Sequence, residues 1–143
     1  MIRRRMVRLW VVATVLGVSM SIGGVAWAHS HFGQMGPGGN WKDCAVAWEH
    51  GHTSSRIESS TESIGILPCA GLNVKIHYKL DGLFFTATAW DTIPPITAVR
   101  KSVNGYDVFY WSSHNARPAG MTYWIGGKKY HGARRPGMWF RRR

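Results

Sequence analysis

The sequence predicts an all-β domain: a small antiparallel meander forming a β-sandwich or partly open barrel, with about six to seven strands and one disulfide. Three observations carry that expectation. In Leu72-Asn73-Val74-Lys75-Ile76-His77-Tyr78-Lys79-Leu80, apolar and polar residues alternate without a break, the period of a half-buried strand. Two hairpin-type turn signals, Asp81-Gly82 and Asn104-Gly105, sit between strand-like runs. No stretch of the chain sustains a helical period.

The chain opens on a basic head, Arg3, Arg4, Arg5 and Arg8. An uncharged run from Leu9 to Ala28 follows and ends in Ala26-Trp27-Ala28. This is the pattern of a secretory signal peptide over residues 1–28, cleaved after Ala28. The competing reading is an uncleaved anchor, since about 20 apolar residues just span a bilayer. Gly17, Ser19, Ser21, Gly23 and Gly24 dilute the second half of the run and favour cleavage. Either way the remainder lies outside the cytoplasm, because the arginines stay inside. In that oxidising compartment the two cysteines, Cys44 and Cys69, are expected to pair.

Residues 29–40 are rich in Gly and lack an apolar period, which predicts a flexible arm. The β-domain is expected over 41–127. Asp43–His50 reads as a short strand with Cys44, Val46 and Trp48 on one face. His52–Ser63, dense in Ser and Thr, reads as a loop, with an irregular strand as the alternative, held by the disulfide. The turn at Asp81-Gly82 sets a hairpin in which Leu80 faces Leu83, Tyr78 faces Phe85, Ile76 faces Ala87 and Val74 faces Ala89. His77 falls opposite Thr86 and Lys75 opposite Thr88, on the other side of the sheet. Pro94-Pro95 ends the return strand. A second hairpin about Asn104-Gly105 would pair Val103 with Tyr106, Lys101 with Val108 and Val99 with Tyr110. A loop through His114, Arg117, Pro118 and Gly120 then leads to a strand Met121–Ile125. Gly126-Gly127 is expected to turn it into Lys128–His131.

The formal net charge of +11 is unevenly placed. Residues 29–127 balance seven basic against seven acidic side chains, whereas residues 128–143 carry seven cations and no acid. This expected tail interleaves Lys128, Lys129, Arg134, Arg135, Arg141, Arg142 and Arg143 with Trp139 and Phe140. Such a mixture suits an anionic membrane or a cell-wall polymer. Export argues against nucleic acid as the natural partner. The leading functional expectation is therefore a secreted, non-catalytic domain that adheres to an anionic envelope surface. The alternatives are a bacteriocin-like antimicrobial effector, a carbohydrate-binding module that stacks exposed Trp and Tyr on sugars, and an N-terminal copper-binding protein.

The last alternative rests on His29-Ser30-His31. With His29 as the first residue, its amine, two backbone nitrogens and the His31 imidazole can enclose one Cu(II) or Ni(II) in a square plane. His50-Gly51-His52 offers two more imidazoles that converge if the segment is a strand, although its Gly suggests a turn. His77 and His114 are further potential ligands with nothing in the sequence to bring them near His29. Ser112, Ser113, His114 and Asp107 supply the residue types of a hydrolase triad without a Gly-x-Ser-x-Gly elbow. They are read as a strand end and a polar loop.

Overall fold

The computed structural model describes residues 29–65, 69–94 and 96–135. The expected signal segment 1–28 and the tail residues Trp139, Phe140, Arg141, Arg142 and Arg143 lie outside the described residues. The domain is all-β, as the alternation of residues 72–80 requires, with eight strands in two antiparallel sheets. They are β1 (His29–Met35), β2 (Val46–His52), β3 (Arg56–Ser63), β4 (Gly71–Leu80), β5 (Leu83–Asp91), β6 (Ala98–Asn104), β7 (Val108–Arg117) and β8 (Ile125–Arg134). One sheet runs β1-β2-β3-β6 and the other β5-β4-β7-β8.

The β4–β5 hairpin has the expected register, Leu80 opposite Leu83 through Val74 opposite Ala89. Asp81 and Gly82 take φ of 52° and 80°, the left-handed conformations that this tight turn needs. The second turn signal acts differently. Asn104-Gly105 does not close a hairpin: β6 pairs with β3, β7 pairs with β4, and the turn carries the chain from one sheet to the other. Val103 and Tyr106 still meet, because both point into one core from opposite sheets. Alternation around a turn is the same for a hairpin and for such a crossover.

Three other expectations are corrected. His29–Met35, expected within a flexible arm, is an edge strand paired residue by residue with β2. Residues 56–63, expected within a loop or an irregular strand, form a regular central strand whose inward positions after Ile57 are Ser59 and Thr61. That strand lacks an apolar stripe because half of it faces a polar interior. Residues 121–124 are not a strand, and Gly126-Gly127 is no turn: both glycines lie within β8, which runs on to Arg134. The first residues of the expected tail are thus part of the sheet.

Two apolar clusters fill much of the sandwich interior, with the buried polar residues Ser112 and His114 between their contributions from β7. Cys44, Val46, Leu72, Val74, Ile96 and Val99 belong to the first; Ile57, Ile76, Val103, Tyr106 and Phe109 form the second. The Cys44–Cys69 disulfide lies in the first cluster and ties the chain just before β2 to the chain just before β4, one sheet to the other. It closes a 25-residue separation, for which chain entropy gives about 3.5 kcal/mol of stabilisation.

Candidate metal centre

Along the β1–β2 ladder the inward-facing pairs change character rung by rung. Met35 lies opposite Val46, Gly33 opposite Trp48, His31 opposite His50, and His29 opposite His52. Residues two apart on a strand share a face, so the four imidazoles form two adjacent rungs on the inner side. The Trp48 ring lies where a Gly33 side chain would stand, with ring atoms 2.9 Å from an added Cβ. Gly51, expected to turn the chain, stays in the ladder between His50 and His52 and keeps them on one face.

A fifth histidine arrives from the opposite sheet. His131 on β8 packs flat on Phe109, with ring centroids 4.7 Å apart and planes inclined by 19°. Its ring lies 4.8 Å from His29, 4.9 Å from His31, 4.9 Å from His50 and 4.7 Å from His52. Among the described residues two groups are close enough to hold an ion, His29 with His52 and His131, and His31 with His50 and His131. Within each, the ligand nitrogens lie within 4.8 Å of one another.

Hydrogen bonds behind the cluster decide which nitrogens carry lone pairs. The Thr61 hydroxyl donates to the Asn73 carbonyl (3.1 Å), so its oxygen accepts from Nδ1–H of His114 (3.0 Å). His114 Nε2 is then an acceptor, and the buried Ser112 hydroxyl donates to it at 2.6 Å. The Ser112 oxygen in turn accepts from Nδ1–H of His50, also at 2.6 Å. A neutral imidazole has one N–H, so His50 presents a bare Nε2 toward His31, whose Nδ1 is 3.2 Å away. His52 follows the same logic. The Tyr106 hydroxyl donates to the Thr53 carbonyl (2.7 Å), and both oxygens face His52 Nδ1, at 2.7 and 3.1 Å. Nδ1 of His52 therefore holds the proton and Nε2 is bare. Such outer hydrogen bonds orient metal-binding histidines and fix their tautomers.

Burial favours the uncharged form of His31, His50, His52, His114 and His131. It pushes His50 down to about 2, helped by the neighbouring His131, His114, His31 and His29. His131 falls to about 3, by burial first and then by His52, His31 and His29. His114 also falls to about 3, mainly through burial. His31 and His52 are lowered as well, again with burial the main cause. Neutral imidazoles are the state that binds metal. Both three-residue groups consist of histidine alone. Nitrogen-only sites suit zinc, copper and nickel and disfavour magnesium and calcium, which require oxygen.

The square-planar arrangement expected at His29-Ser30-His31 does not match this geometry. The segment is an extended strand, with Ser30 opposite Gly51 and the two imidazoles in different rungs. A chelate around one ion would require the same backbone to curl. His77 lies on the outer face of the other sheet, stacked on Trp111 at 4.4 Å. Ser112 and His114 do adjoin, but Asp107 stands elsewhere, accepting from the Asp81 backbone N–H (2.9 Å) and from Arg135 (3.3 Å). No triad forms, and Ser112 is wholly buried.

The basic residues expected to act together are divided. Lys128 stands over Trp111 on the outer face, while Lys129 turns inward over Trp48, 5.1 Å from its ring. Arg134 is exposed, and Arg135 pairs with Asp107. Sequence reasoning missed His131 as a partner and did not join the other four imidazoles. The available signal was the repeated His-x-His, which on two paired strands gives two rungs. Comparison with protein-family models, with curated proteins and with solved structures finds no match to the chain.

Proposed function

We propose that the chain is an exported β-sandwich that binds a transition-metal ion of the copper or zinc type. The observation that carries this reading is the convergence of five imidazoles from both sheets, two of them held with a bare Nε2 facing inward. No catalytic step is proposed. Export rests on the basic, apolar and small-residue pattern of residues 1–28; the Cys44–Cys69 bridge and the absence, among the described residues, of a helix able to cross a membrane agree with it. The test is titration of the metal-free protein with Cu(II), Zn(II) and Mg(II). Trp48, 5.6 Å from the His50 ring and 5.3 Å from His114, serves as a quenching probe for copper. Tight binding of copper and zinc but not magnesium is expected, weakened by His131→Ala and unchanged by His77→Ala. Failure to bind copper or zinc overturns the reading.

A second reading, adhesion to an anionic envelope surface, draws on the outer face of the β5-β4-β7-β8 sheet. There Lys128 lies beside Trp111, and Phe84, Trp90 and Tyr130 are exposed. A neutral glycan is the competing ligand for that face. Co-sedimentation with anionic vesicles that is lost in high salt favours adhesion, whereas salt-resistant binding to neutral glycans favours the sugar.

A further inference from the structure

We propose that the centre takes two metal ions rather than one, bridged by the His131 ring as an imidazolate. This rests on the metal-binding reading above. The two histidine rungs are consecutive on one face, so their spacing is about 6.6 Å, two residues of strand rise. His131 stands between them, with its ring centroid at nearly equal distances from all four imidazoles. It belongs to both groups able to hold an ion and is the member they share. A ring that binds through both nitrogens, with bonds of about 2.0 Å on each side, separates its two ions by about 6 Å. That separation is close to the backbone spacing of the rungs, while the His29 and His31 rings themselves stand 4.6 Å apart, so the two ligand sets move apart slightly to take both ions.

The nitrogens of His131 are placed for such a role. Nε2 lies 3.2 Å from His29 Nδ1, whereas Nδ1 is buried and has no hydrogen-bond partner. A buried nitrogen without a partner is costly, and this one belongs to a ring whose neighbours include the four imidazoles of the rungs. The Phe109 ring beneath fixes the imidazole plane. His29 and His52 complete one ion's set, and His31 and His50 the other's. His29 is exposed and His31 partly so, which leaves solvent access for water or hydroxide to fill remaining coordination positions. On binding, His131 releases its single ring proton to solvent. His50 and His52 bind through lone pairs already present, and nothing is oxidised or reduced.

The experiment uses the metal-free exported chain, titrated with Cu(II). Bound copper is read by native mass spectrometry and unpaired spin by electron paramagnetic resonance. Two ions per chain are expected, with the spin signal rising through the first equivalent and falling by at least half after the second, as the two ions couple through the ring. Loading with one Cu(II) and one Zn(II) should restore a full one-spin signal. His131→Ala, checked for folding by circular dichroism, should abolish the coupling. Binding of only one ion overturns the bridge and leaves the metal-binding reading standing. Two ions with a full, uncoupled signal also overturn the bridge. No bound copper overturns both.

Discussion

Ser112 is the residue whose removal most directly tests how the centre is held. Its hydroxyl is fully buried and is the only link between His50 Nδ1 and His114 Nε2 that the hydrogen-bond chain contains, each at 2.6 Å. Ser112→Ala strands a donor on one ring and an acceptor on the other. Each buried, unsatisfied group costs about 1–3 kcal/mol, so a loss of about 2–5 kcal/mol is expected. This is a large share of the stability of a small domain, and in thermal terms about 10–20 °C. Metal affinity should also fall, by about 10- to 100-fold, because His50 is no longer held in one tautomer and orientation. Urea unfolding of the metal-free protein gives the first number, and copper titration followed by Trp quenching gives the second. Ser113→Ala is the control: Ser113 lies opposite Lys75 and Lys128, away from the interior, and its change should stay within about 0.5 kcal/mol. If Ser112→Ala matches wild type within that margin and binds copper equally well, the tautomer chain deduced above is wrong.

Three further outcomes are expected. The folded-state values of His50 and His114 lie far below the ordinary 6.5, so the unfolded chain takes up protons that the folded one refuses. Stability from these groups is therefore complete above pH 6.5 and falls as pH drops below it, by up to two protons or about 2.7 kcal/mol per pH unit; the urea midpoint should fall between pH 7.5 and 5.5, and a constant midpoint would refute the burial of neutral rings. Glu49 acts in the opposite sense. Burial raises it to about 8 despite the nearby Arg100, so the folded state holds an extra proton between pH 4.5 and 8 and loses that advantage as pH rises through the window. Glu49→Gln should make unfolding at pH 9 harder than in wild type while leaving pH 5 nearly unchanged, again read by urea titration. Reduction of Cys44–Cys69 should cost about 3–4 kcal/mol in the same assay, and a loss below about 1 kcal/mol would contradict the chain-entropy estimate.

The sequence was most informative where one local signal sufficed. Residues 72–90 carry their period, their turn and their register within one contiguous stretch, and all three agree with the structure. The disulfide was legible from the cysteine count and the expected compartment. The β6–β7 connection was not, because a sandwich buries Val103 and Tyr106 together whether or not their strands pair. Strand β3 was hidden because Ser59 and Thr61, at its inward positions, look like loop residues until the polar interior is known. The histidine cluster was half visible: His29, His31, His50 and His52 show the period of a strand face, but the pairing of β1 with β2 and the approach of His131 across the sandwich are tertiary facts. The charge excess at the C-terminal end read as a tail. Its first cations instead alternate between the faces of β8, so Lys128 and Lys129 point to opposite sides of a sheet.

The centre is expected to form without metal. Its imidazoles are positioned by the β1–β2 ladder and by β8; the second apolar cluster touches them through Phe109 and Tyr106, while the first cluster, with the disulfide that joins the sheets, contains none of them. A domain that folded only around its ion would lack such an independent core. Metal should therefore add to an existing stability by mass action, about 2.7 kcal/mol at a free concentration one hundred times Kd, and not switch folding on. Thermal scans of metal-free protein should show a cooperative β-sheet transition that moves upward with added copper. Metal-free protein that shows no transition, and gains one only when copper is supplied, would mean that the histidine rungs are assembled by the ion and that the ladder does not preorganise them.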